Sequence, residues 1–123
     1  MKKALISLFL TTIILGVHAQ ERVLRHVVSF KFKSELTEVQ TDSLIEAFAN
    51  LKNEIKEVKA FEWGTNNSPE NLDKGLTHCF VLTFSNEADR DTYLPHPAHK
   101  SFVEKYGPYV EDVFVIDYYA KEE

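Results

Sequence analysis

A chain of 123 residues has room for one domain, since domains usually run to about 100–150 residues. Hydrophobic residues make up 44% and charged residues 27%, which excludes a disordered or collagen-like chain. A net charge of -5 argues against a nucleic-acid partner, which needs a basic face, and a single cysteine excludes an internal disulfide framework or a cysteine-based zinc cage.

The first residues read as an address. Lys2 and Lys3 precede an apolar run from Ala4 to Val17, and Ala19 supplies a small residue before Gln20. Basic, apolar and small segments in that order form a secretory signal peptide; the run is too short for a membrane helix of about 20 residues. The expected division is therefore residues 1–19 as a cleaved signal and 20–123 as one domain, periplasmic or secreted, with no membrane attachment after cleavage. In that oxidising location Cys79 must be buried or paired between chains, and its place in an apolar strand favours burial.

Leu24–Lys33 alternates, with Leu24, His26, Val28, Phe30 and Phe32 on one face, the period of a strand. Thr37 and Gln40 fit a capping box, and Leu44, Ala47, Phe48, Leu51 and Ile55 recur at helical spacing behind it. Val58–Gly64 reads as a short strand and Thr65–Gly75 as a polar loop. A third strand spans Thr77–Ser85, with His78, Phe80, Leu82 and Phe84 on one face. Asn86 caps a second helix that Pro95 interrupts. Pro97 opens a further helical segment to Tyr106, where Gly107 and Pro108 stop it. Val113–Tyr119 is the last strand. The order βαββαβ predicts an α+β, ferredoxin-like fold.

Two helices cover only one face of a four-stranded sheet, yet Cys79–Phe84 and Val113–Ile116 are apolar on both faces. A monomer would expose a large apolar patch, so a two-fold homodimer with facing sheets is expected, enclosing a cavity or a packed interface between them.

The densest cluster of reactive side chains is Tyr93-Leu94-Pro95-His96-Pro97-Ala98-His99. Two prolines fix the backbone between the imidazoles, and a histidine with a phenol can exchange protons with a carbonyl substrate. A helix-breaking corner whose histidines satisfy backbone groups would show the same residues. His26 and His78 sit on apolar strand faces, where a buried imidazole needs a partner. Together with His96 and His99 they could ring one apolar cavity, the usual setting of a site. Val28, Phe30, Phe80 and Leu82 would supply its ligand-binding walls. His96 and His99 with His26, His78 or Asp117 could offer metal ligands, but the spacing matches no known zinc motif, so no metal is assigned. Asp89-Arg90-Asp91 reads as solvated charge.

Several segments, in this order, resemble the stress-responsive A/B barrel (Dabb) family: His26-Val27-Val28-Ser29-Phe30-Lys31-Phe32-Lys33, Trp63-Gly64, Gly75-Leu76-Thr77-His78, Thr83-Phe84, Tyr93 to His99, and Val115-Ile116-Asp117-Tyr118. The resemblance implies ferredoxin-like monomers paired into a dimeric α/β barrel. One plant member of that family closes a linear polyketide by aldol condensation without metal or organic cofactor. Its working tyrosine and histidine match Tyr93 and His99, and its pocket histidines match His26, His78 and His96. By that analogy Tyr93 polarises a carbonyl and His99 is the general base. Another plant member is a stable stress protein without established catalysis. The expected function is binding of a small, largely apolar carbonyl or phenolic ligand, with cofactor-free acid–base chemistry at Tyr93 and His99. The alternatives are a non-catalytic stress-related or binding module, and a cofactor-free oxygenase or haem-handling protein.

Overall fold

A computed structural model describes residues 22–123 together with 2–4, 11–13 and 16. The cleavage point after Ala19 lies outside the described residues, as does most of the expected signal peptide. Among the described residues the order is β1 (Leu24–Phe32), α1 (Glu38–Glu54), β2 (Ala60–Thr65), β3 (His78–Phe84), α2 (Glu87–Tyr93), α3 (Pro97–Tyr106), a 3-10 turn (Gly107–Tyr109) and β4 (Val110–Tyr119). No helix among them is long and apolar enough to cross a membrane.

The strands form one antiparallel sheet in the order β2-β3-β1-β4, the ferredoxin-like βαββαβ arrangement that the element order predicts. Period-two alternation sets the register. Leu24, His26, Val28 and Phe30 lie beside Phe84, Leu82, Phe80 and His78 of β3, and beside Tyr119, Asp117, Val115 and Val113 of β4. These residues share the face on which the helices lie.

Local chemistry fixes each helix. Gln40 N–H donates to Thr37 Oγ1 at 3.2 Å and Thr37 N–H donates to Gln40 Oε1 at 2.9 Å, closing the capping box on α1; such a cap contributes about 1 kcal/mol. Asn86 Oδ1 accepts from Asp89 N–H at 2.9 Å to start α2. The Leu94–His96 corner separates α2 from α3, with Pro97 at the first position of α3. Leu44, Phe48, Leu51 and Ile55 meet Leu24, Val28, Phe30, Phe80, Leu82 and Phe84 in the core, and each such side chain fully buried stabilises by about 1.5–3 kcal/mol. Phe48 stacks on Phe80 with ring centroids 4.8 Å apart.

Two expectations are corrected. β4 begins at Val110 rather than Val113, because Glu111 occupies a bulge. Lys31 pairs with Asp112 and Phe32 with Val110, so the charged residues extend the strand instead of ending it. Cys79 is exposed rather than buried, since it lies opposite Ser29 on the face that the helices leave bare.

A candidate acid–base site between sheet and helices

The helices bury the inward faces of β1 and β3 but not that of β4, where Val113 and Val115 stay about half exposed. The space left between β4, α2 and α3 is a cavity of about 630 Å³, within the usual range for small-molecule sites, about 300–1,000 Å³. Val28, Phe30, Phe48, Phe102 and Val115 give it apolar walls, and His26, Arg90, Tyr93, His99 and Asp117 stand together among them.

Tyr93 ends α2 and is fully buried. Its ring centroid lies 4.3 Å from that of His99 and 5.9 Å from that of His26. Its hydroxyl is buried without a hydrogen-bond partner, which is rare because an unpaired buried hydroxyl costs about 1–3 kcal/mol. Burial pushes this phenol well above its ordinary pKa, so it remains a donor.

His99 stands in the first turn of α3. Its Nδ1 is 2.8 Å from the Leu94 carbonyl oxygen. A carbonyl only accepts, so Nδ1–H donates and the Nε2 of the neutral ring keeps its lone pair. Burial holds this imidazole below its ordinary value; the Leu94 bond partly opposes that, and the charges of His26 and His96 add to it. A neutral ring with a free Nε2 has the form of a general base.

His26 Nδ1 meets Asp117 Oδ1 at 2.7 Å, and Asp117 Oδ2 accepts from Arg90 Nη1 at 3.1 Å. Strands β1 and β4 supply the first two residues and α2 the third, so one ion-paired chain ties the helix carrying Tyr93 to the sheet. Glu87 N–H adds a second tie by donating to Tyr119 Oη at 3.2 Å.

Of the side chains nominated from sequence, His26, Val28, Phe30, Tyr93 and His99 line this cavity. Phe80 and Leu82 are completely buried core residues and are not among its walls. His96 is the N-cap of α3, its Nδ1 accepting from Ala98 N–H at 3.1 Å. His78 bonds Thr77 Oγ1 at 2.8 Å and stacks on Trp63 at the other end of the sheet face. The cavity lies within one chain, on the helix-covered side, rather than between two sheets. Among the described residues no three His, Cys, Asp or Glu side chains are grouped to hold a metal ion. Arg90, read as solvated charge, is instead part of the site. A basic residue between two acids on a short helix gives no local sign of a partner 27 positions away.

The fold and site together define a ferredoxin-like α+β domain with a buried tyrosine beside a neutral histidine at an apolar cavity. Residues 24–120 match the model of the Stress responsive A/B Barrel Domain, Dabb, and the chain belongs to that family. It is 39% identical over 94 residues to the stress-response A/B barrel domain-containing protein HS1 of Arabidopsis thaliana, covering 76% of this chain and 86% of that one. Olivetolic acid cyclase of Cannabis sativa is 33% identical over 94 residues, covering 76% and 93%. Among solved structures, hydroxynitrile lyase from Passiflora edulis superposes with a TM-score of 0.78 at 31% identity, over 84% of this chain and 97% of that one.

Proposed function

We propose that the protein binds a small, largely apolar carbonyl or phenolic compound in this cavity and performs cofactor-free acid–base chemistry on it. The observation that carries the reading is the unpaired Tyr93 hydroxyl beside the neutral His99 ring. A buried donor without a partner is costly, and a ligand oxygen would satisfy it. The cyclase and lyase among its relatives make the same class of reaction reasonable here.

The chemistry follows from the two side chains. His99 Nε2 takes a proton from a carbon next to a carbonyl, and the electron pair of that C–H bond moves onto the carbonyl oxygen. Tyr93 O–H donates to that oxygen as its charge grows, in a site where apolar walls keep the hydrogen bond strong. The carbon so activated can add to a second carbonyl, forming a C–C bond, and the proton held on His99 passes to the new alkoxide. Run backwards, the same steps cleave that bond, so one arrangement serves a cyclase-like or a lyase-like reaction.

Two further parts of the reading rest on sequence and surface. The helix-free face of the sheet exposes Phe114, Ile116 and Tyr118 about half each, an apolar patch that a homodimer would cover. Residues 1–19 carry the layout of an export signal, which would place the mature chain in the periplasm or outside the cell.

Deuterium exchange tests the chemistry without knowledge of the natural substrate. With 4-butylacetophenone as probe in D2O, the protein is expected to speed loss of the acetyl methyl proton signal above the buffer rate. His99→Gln should abolish the gain. A probe that binds in the cavity without faster exchange would remove the catalytic part and leave a binding module.

A further inference from the structure

We propose that the cavity selects uncharged ligands, taking a neutral apolar ketone or phenol over a carboxylate of the same shape. This rests on reading the cavity as a ligand site and adds the charge of what it accepts.

Among the described residues lining the cavity, Arg90 is the sole lysine or arginine. Its guanidinium is already shared, Nε donating to Asp91 Oδ1 and Nη1 to Asp117 Oδ2, each at 3.1 Å. Against that single cation the lining carries the carboxylates of Asp91, Glu111, Asp112 and Asp117. Lys31, which is not part of the lining, pairs with Glu111 at 2.9 Å. His26 gives its Nδ1 to Asp117. An incoming carboxylate would therefore leave water for a site with an excess of negative charge and no unshared cation. Burying a charge without a partner is strongly unfavourable.

A neutral carbonyl has the opposite fit. It needs one donor, and the cavity holds one unpaired buried donor, the Tyr93 hydroxyl. It also brings no charge for the surrounding carboxylates to repel.

The test compares 4-butylacetophenone with 4-butylbenzoate at pH 7, probes that differ by a methyl group against a carboxylate oxygen. Binding is read by NMR titration of the protein, with the ring signals of His26, Tyr93 and His99 reporting occupation of the cavity. The ketone is expected to bind and the benzoate to bind at least about tenfold more weakly. Asp91→Ala removes an exposed carboxylate and takes its acceptor from Arg90 Nε, so it should raise benzoate affinity severalfold relative to ketone affinity. Benzoate binding in the cavity as tightly as the ketone would overturn the charge inference alone. Failure of both probes to move these signals would overturn the ligand-site reading and this inference with it.

Discussion

Tyr93→Phe separates function from stability in a way that few buried substitutions allow. The Tyr93 side chain is fully buried, so truncating its ring would cost several kcal/mol, but removing only its oxygen keeps the ring against Phe84 at 5.1 Å and His99 at 4.3 Å. The oxygen has no partner, and a buried hydroxyl in that condition costs about 1–3 kcal/mol. The variant should therefore be more stable than the native chain by about 1 kcal/mol, raising Tm by about 4–8 °C for a domain of this order of size. Urea and thermal unfolding give both numbers. Deuterium exchange of 4-butylacetophenone should fall sharply in the same variant, because the donor to the developing oxyanion is gone. Gain of stability with loss of activity marks a group kept for function at a cost to the fold. A loss of about 1 kcal/mol or more would mean that the hydroxyl is hydrogen-bonded in the folded protein, and the argument from an unpaired donor would fail.

Three other outcomes are expected. Burial lowers the His99 pKa below 6.5, so the unfolded chain takes up this proton first as pH falls; stability contributed by the neutral ring is complete above 6.5 and is lost as pH drops from there toward the lowered value. Exchange activity should fall as the pH passes down through the lowered value, where the ring in the folded protein takes up its proton, and a profile that rises on acidification would contradict a basic role for His99. Arg90→Met removes the charge-assisted bonds to Asp117 and Asp91 and should cost about 1–3 kcal/mol in urea unfolding, with Arg90→Lys recovering part of it. Phe114→Asp with Ile116→Asp should convert a dimer to a monomer in light scattering; a native chain that is monomeric at all concentrations would show that the helix-free face stays uncovered.

Legibility in the sequence followed the range of the interaction. The capping box at Thr37, the Asn86 cap and the Pro97 start depend on neighbours within a turn, and the structure has all three. Strand faces follow from alternation alone, which is why His26 shares a face with Val28 and Phe30, and His78 with Phe80 and Leu82. Alternation does not report position along the face, however. His26 pairs with Asp117 beside the cavity, whereas His78 lies four positions before Leu82, the β3 partner of His26, among Phe32 and Trp63. The corner at His96 takes one of the two forms open to the sequence, a helix start whose histidine satisfies a backbone group. A three-residue spacing puts two side chains on one helical face only when both belong to the helix, and His96 is the cap instead.

Strand β4 explains both why a cavity exists and why a partner is expected. Its sequence is apolar on both faces, and as the strand beside β1 at one end of the sheet order it receives less helix cover than the centre. Val113 and Val115 turn one half-exposed surface toward α2 and α3, where it forms a wall of the cavity. Phe114, Ile116 and Tyr118 turn the other away from the helices. Monomer packing leaves both surfaces incompletely buried, and burying apolar area stabilises by about 25 cal/mol per Å², so each favours something that the isolated chain lacks. For the inner surface the polar groups beside it, Tyr93, His99 and His26, fit a small carbonyl compound. The outer surface is broad and carries no comparable cluster of paired histidine and tyrosine, which fits a second sheet. Covering it would also shield Cys79, which is exposed in the single chain and would be open to oxidation under the proposed export. Dimer formation and export therefore make linked demands on one residue: if the mature protein is secreted as a monomer, Cys79 should react readily with a thiol reagent, and if it is a dimer through this face, reaction should be slow until the dimer is broken by the Phe114 and Ile116 substitutions.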